Sequence, residues 1–79
     1  MSHTSNRPVD WETLVIQNEN RLYRAALAIL GDPQEAEDAV QDAFIRFLER
    51  APKQLETPDA WLMRVLMNGC KSRLRLAWR

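Results

Sequence analysis

Apolar residues recur along the chain at helical intervals. From Trp11 they run Trp11, Leu14, Val15, Leu22, Ala25, Ala26 and Ile29. Most steps are three or four residues or sums of these, as one face of a helix requires. Asp10 stands before the first of them, where a side-chain oxygen can accept from free backbone amides and cap the helix. Gly31 closes this first predicted helix, because glycine tolerates the left-handed residue that ends many helices. Asp32-Pro33-Gln34-Glu35 then restarts the pattern. Asp32 suits the cap, Pro33 the first helical position and Glu35 the third residue of a capping box. The second predicted helix buries Ala36, Val40, Ala43, Phe44, Phe47 and Leu48. It ends before Pro52, since proline disfavours helical geometry in the residue preceding it. Ala51 to Glu56 reads as a loop. Thr57-Pro58-Asp59 repeats the cap-then-proline signal and opens a third helix with Trp61, Leu62, Val65, Leu66, Cys70 and Leu74 inward. Residues 1–9 are polar and aperiodic, and read as a flexible tail. The sequence shows no strand alternation, internal repeat or low-complexity segment. The prediction is all-α: a small antiparallel bundle of three main helices, with the folded domain over residues 10–79.

Composition narrows the function. Seventy-nine residues make one domain at most, with 46% apolar and 28% charged residues. A chain this short buries roughly 60–65% of its unfolded surface, which leaves no room for a deep pocket between lobes. No run approaches the ~20 apolar residues of a membrane span, and no signal-peptide pattern is present. The single histidine, His3, lies in the predicted tail, and Cys70 is the single cysteine. Neither a metal site nor an internal disulfide follows, and Cys70 among apolar neighbours reads as a small buried hydrophobe. No nucleophile–base set, paired carboxylates or glycine-rich phosphate loop can be assembled. A non-enzyme without cofactor is expected.

Charge changes the picture. Eleven basic and eleven acidic residues give a net charge of zero. The zero hides a segregation. Residues 1–59 hold six bases and all eleven acids, for −5, whereas residues 60–79 hold five bases and no acid, for +5. Such asymmetry can mark two different partners. On the second helix, the face opposite the core carries Gln34, Asp38, Gln41, Asp42, Ile45 and Glu49. It reads either as a solvated face or as a docking strip for a basic helix with Ile45 as apolar anchor. On the third, Arg64, Asn68, Lys71, Arg75 and Arg79 fall on one face, with Ser72 at its edge and Trp61 at its start. A cationic strip with an amide suits nucleic acid: cations meet phosphates and release counterions, and asparagine can read a base edge. Trp61 either plugs the core or stacks on an unpaired base. Arg73 points away from this strip.

Three segments then carry a family likeness. They are Arg21-Leu22-Tyr23-Arg24-Ala25-Ala26-Leu27 with Leu30-Gly31-Asp32; Ala36-Glu37-Asp38-Ala39-Val40-Gln41-Asp42-Ala43-Phe44-Ile45-Arg46; and Ala60-Trp61-Leu62-Met63-Arg64-Val65 with Asn68 and Arg73-Leu74-Arg75. In this order and spacing the chain resembles region 2 of bacterial RNA polymerase sigma factors of the sigma-70 family, most closely the extracytoplasmic-function (ECF) group.

The resemblance implies a role for each strip. The second helix would dock on the clamp helices of the largest polymerase subunit through Asp38, Gln41 and Asp42, with Ile45 and Glu49 on the same face. The third helix and the loop before it would capture the promoter −10 element as melted single strand. Asn68 matches the asparagine of that helix. Lys53 to Thr57 matches the segment that sets −10 base preference. Arg64, Lys71 and Arg75 would meet the backbone, and Trp61 and Ser72 complete the candidate DNA-binding set. An anti-sigma factor is a further implied partner, and the implied location is cytoplasmic.

Two positions depart from the family. Many relatives carry an acidic residue where Ser72 stands, and Gly69 lies mid-helix. Relatives also continue into a second helical domain that reads the −35 element. With no such domain after Arg79, the chain reads as either an excised domain or an unusually truncated protein, and an apolar Trp78 so near the end favours excision. The rival readings are a bundle that binds a basic peptide and a self-associating bundle. The first leaves the Arg64–Asn68–Lys71–Arg75 face unused.

Overall fold

The structure is a computed structural model that describes residues 11–51 and 57–77. Three helices follow one another: α1 (Trp11–Leu30), α2 (Pro33–Arg50) and α3 (Pro58–Ala77). The turn between α1 and α2 takes two residues, and its chemistry is local. Gly31 has φ 71°, in the left-handed region, and its N–H donates to the Leu27 carbonyl at 2.8 Å. Asp32 next returns to extended backbone, and its carboxylate accepts from the Gln34 N–H at 3.1 Å. The predicted stop and restart are therefore both present.

One detail of the expected cap differs. Glu35 does not complete a capping box. Its Oε1 accepts from Arg73 Nη1 on α3 at 3.1 Å. An ion pair between helices has taken the carboxylate that a local cap would use. The same contact turns Arg73 inward, off the cationic strip. The proposed Asp10 cap and the 1–9 tail lie outside the described residues.

Side-chain contacts give the direction of each helix. Trp11, at the start of α1, packs its ring edge to face with Phe44 and tilted on Phe47, at 5.8 and 5.9 Å. Both phenylalanines belong to the last turns of α2, so α1 and α2 are antiparallel. Phe47 also meets Trp61, in the first turn of α3, edge to face at 5.5 Å. Glu35 pairs with Arg73 at the other end of the same two helices, so α2 and α3 are antiparallel as well. Such offset and edge-to-face pairs contribute about 0.5–1.5 kcal/mol each beyond their area. The expected three-helix, all-α bundle is the observed one.

The core is a column of Leu14, Leu22 and Ala26 from α1, Ala36, Ala39, Val40 and Ala43 from α2, and Leu62, Leu66 and Cys70 from α3. Alanine supplies most of the α2 share, which lets that helix approach its neighbours closely. Cys70 is fully buried. Burial pushes its thiol above the ordinary value, and the Arg73 guanidinium pulls it partly back. A protonated, inert thiol follows.

Two residues depart from the predicted core. Leu48, expected inward, is 65% exposed. One position beyond the core-facing Phe47, it stands at the outer rim of the groove between α1 and α2, largely in solvent. Asn18, unremarked in the sequence, is 1% exposed. It occupies the four-residue row Leu14–Asn18–Leu22–Ala26, the gap in the apolar periodicity. Its Nδ2 donates to the Leu14 carbonyl at 3.0 Å and to Asp59 Oδ1 at 2.9 Å. Its Oδ1 accepts from Arg21 Nη2 at 2.8 Å, and the same nitrogen donates to the Asp59 carbonyl at 3.3 Å. A buried amide is tolerated only when its donors and acceptor are met. Here they are met by Leu14 and Arg21 of the same helix and by Asp59 in the first turn of α3. The network pins the start of α3 against the middle of α1.

Candidate functional site

The helices leave two surfaces that the core does not use. The first lies along the outer side of α2. Gln34, Asp38, Gln41, Ile45 and Glu49 are all exposed, and their spacing places them on one face of α2. Ile45 is 51% exposed and Leu48, three residues on, 65%. The residue expected in the core thus doubles the apolar anchor. Its signal in the sequence was its i,i+3 spacing from Ile45. Both line a groove of about 800 Å³ between α1 and α2, whose wall also includes Gln34, Gln41, Trp11 and Tyr23.

Asp42 stands apart from that strip. It is half-buried, and its Oδ2 accepts from Arg46 Nε at 3.0 Å. It lines the other groove, between α2 and α3. Of the five predicted docking residues, four share one open face and Asp42 turns the corner.

The second surface is the outer face of α3. Arg64, Asn68, Lys71, Ser72 and Arg75 are exposed. Arg64, Lys71 and Arg75 have no ion-pair partner among the described residues. Three unneutralised cations and an amide on one face make a positive stripe. Trp61 is half-buried with its ring on Phe47, yet it also lines the α2–α3 groove together with Asn68 and Ser72. It packs and is presented at once. Thr57 is exposed and its carbonyl accepts from the Trp61 N–H at 3.1 Å. Lys53 lies outside the described residues.

The α2–α3 groove brings in cations that the sequence reading did not assign. Arg46 and Arg50 of α2 line it opposite Asn68. Their spacing of four and eight residues from Asp42 was the available signal, but it mattered only once α2 was seen to face α3. Neither described surface offers a metal site: among the described residues no group of three or more His, Cys, Asp or Glu could hold an ion. No described helix is long and apolar enough to cross a membrane.

Known proteins place this arrangement. The family model for sigma-70 region 2 matches residues 14–79. The chain belongs to the sigma-70 region 2 family. It is also 37% identical over 59 residues to the ECF RNA polymerase sigma factor SigE of Mycolicibacterium smegmatis (strain ATCC 700084 / mc(2)155). That alignment covers 73% of this chain and 23% of the relative, so the chain spans about a quarter of the protein it matches. No solved structure matches it. The matched region begins at the first buried leucine of α1 and takes in all of α2 and α3, so both surfaces fall within it. The three segments quoted from the sequence lie within the matched residues, and the domain is that of a sigma-type transcription initiation factor.

Proposed function

We propose that this sigma region 2 domain opens promoter DNA by holding two partners on two faces. The outer face of α2 docks on the clamp helices of the largest subunit of RNA polymerase. Ile45 and Leu48 bury their apolar surface there, and Asp38, Gln41 and Glu49 meet basic and polar groups around them. The half-buried Asp42 contributes at the edge. The outer face of α3 holds the melted −10 strand. Arg64, Lys71 and Arg75 meet its phosphates, and Asn68 and Ser72 meet bases. Trp61, half-buried against Phe47, offers the ring surface that remains open for stacking. Residues 53–57, with Lys53 and Thr57, precede α3 in the sequence and contribute to base preference. Opening is driven by binding energy alone: unpaired bases are captured, and no bond in this chain is made or broken. An anti-sigma factor that covers one of these faces would compete with the partner of that face, and the site of action is with the polymerase in the cytoplasm.

The observation that carries the reading is the separation of the faces. A solvated surface helix ordinarily mixes charges, whereas α3 after Asp59 shows only cations, three of them unpaired and in register with Asn68. Family membership supplies the partners that fit each face.

Asn68 gives the test. Replacing it by alanine is expected to lower discrimination between matched and mismatched −10 single strands about tenfold, since one good base contact contributes ~1–3 kcal/mol. Binding to all strands together should fall much less. Charge removal at Lys71 should instead reduce the salt slope by ~0.7, the single-strand value for one phosphate contact. Competition assays on labelled strands separate the two effects. Equal weakening of every sequence by Asn68→Ala would remove it as a base reader.

A further inference from the structure

Gly69 has no role in the packing. It lies mid-α3, where glycine is less favourable than alanine by ~1 kcal/mol. A Cβ built on it would meet nothing within 4 Å, so no neighbouring helix needs its slimness. Its φ is not positive, so no turn needs its freedom. What the missing side chain does is open the α2–α3 groove, of about 540 Å³, whose wall it forms. Glycine commonly stands where a backbone must come close to a ligand.

The groove around it is mixed: Trp61, Val65 and Leu76 give it apolar wall, and three arginines against one aspartate make its charge positive. Asn68 and Ser72 flank Gly69 on α3, and Arg46 and Arg50 face it from α2. Arg46 is held by Asp42 at 3.0 Å. Arg73, at the inner side, is held by Glu35 at 3.1 Å. Arg50 is exposed and has no ion-pair partner among the described residues. Among the described residues the groove therefore carries one unmatched guanidinium, whose planar fork suits a phosphate. Asn68 belongs both to this groove and to the Arg64–Lys71–Arg75 stripe, so a strand laid along the stripe borders the groove.

We infer that the α2–α3 groove seats one sugar–phosphate unit of that strand, with Arg50 on the phosphate, Arg46 beside it and Gly69 giving the backbone room. The inference rests on the strand-binding reading of α3. It adds α2 to the nucleic-acid surface and gives Gly69 a function. An acidic peptide is the other occupant that charge alone would admit. A defined strand is favoured because Asn68 and Ser72 offer paired donors and acceptors beside the cation.

The test uses the full chain and a fluorescein-labelled single-stranded decamer carrying a −10-like sequence, followed by anisotropy at several salt concentrations. Gly69→Ala should melt higher than the parent by about 4–8 °C, the response of a domain this size to ~1 kcal/mol. It should nonetheless bind the decamer roughly fivefold more weakly, an affinity change of ~1 kcal/mol. Arg50→Gln, on an exposed position, should keep the parent melting temperature and lower the salt slope by ~0.7. If both variants bind like the parent while Lys71→Gln weakens binding, the strand stays on the outer face and the groove proposal is overturned alone. If the parent does not bind the decamer, the strand-binding reading fails first. If an Asp-rich decapeptide competes as well as unlabelled decamer, the groove is a general anion site and the proposal is wrong.

Discussion

Replacing Leu62 by alanine is expected to lower the stability of the domain by about 3 kcal/mol. Leu62 is fully buried in the bundle and belongs, with Leu66 and Cys70, to the inward row of α3. The core it shares is rich in α2 alanines, whose single methyl groups cannot extend into a void. The site therefore collapses poorly, and the cost includes a cavity as well as lost transfer energy. A domain of this size holds only ~4–12 kcal/mol in total, at 0.05–0.15 kcal/mol per residue. The melting temperature should fall by roughly 12–24 °C, at 4–8 °C per kcal/mol. Thermal and urea denaturation followed by circular dichroism measure it. A loss below ~1 kcal/mol would mean that α3 is not anchored through this residue, and the fixed orientation of its cationic face would lose its basis.

Ile45→Asp is expected to weaken binding to a polymerase clamp-helix fragment by roughly thirtyfold or more, the ~2 kcal/mol typical of an interface anchor. The residue is half in solvent already, so the fold should keep its melting temperature within a few degrees. What is lost is apolar surface at the centre of the strip, next to Leu48, together with the cost of burying a carboxylate without a partner. Isothermal titration against the clamp fragment measures the effect. Leu48→Asp should behave alike, because both side chains line the same groove. Unchanged affinity in both would move the docking surface off this face of α2.

The sequence made the helices legible because their boundaries are set by local chemistry. Gly31 and Asp32-Pro33 need no tertiary contact to act, and the structure has the turn where they stand. Thr57-Pro58 likewise marks the start of α3. Inward faces were legible where the helix crosses its neighbours in mid-length, as at Leu22, Ala43 and Leu66. The misses have a common cause: each depends on what another helix offers. Leu48 has a core-side spacing, but it stands at the rim of the α1–α2 groove, where α1 leaves it in solvent. Asn18 is polar and would be expected outside, but Asp59 and Arg21 satisfy its amide. Glu35 fits a capping box, yet Arg73 reaches it from α3. Arg46 and Arg50 look like solvated residues of α2 until α3 is packed beside them. The stripe Arg64–Asn68–Lys71–Arg75 was readable directly, since it involves a single helix and needs no partner to define it.

Asp42 shows how the two faces meet. It was grouped with the docking strip by periodicity, and it sits at the turn between the strip and the α2–α3 groove. Its carboxylate is engaged by Arg46. Reversing its charge would disturb both surfaces at once, so Asp38 and Glu49 are the cleaner residues for a charge test. Both are exposed, and neither has an ion pair among the described residues.

The central claim is that the two faces are separable and hold different partners. The most direct measurement is to titrate the Asp38→Lys/Glu49→Lys double variant against two ligands, the clamp-helix fragment and the labelled −10 single strand. The account predicts that clamp affinity falls at least tenfold, about 1.4 kcal/mol, while single-strand affinity stays within about twofold or rises slightly with the added positive charge. Parallel losses for both ligands, or an intact clamp affinity, would contradict it.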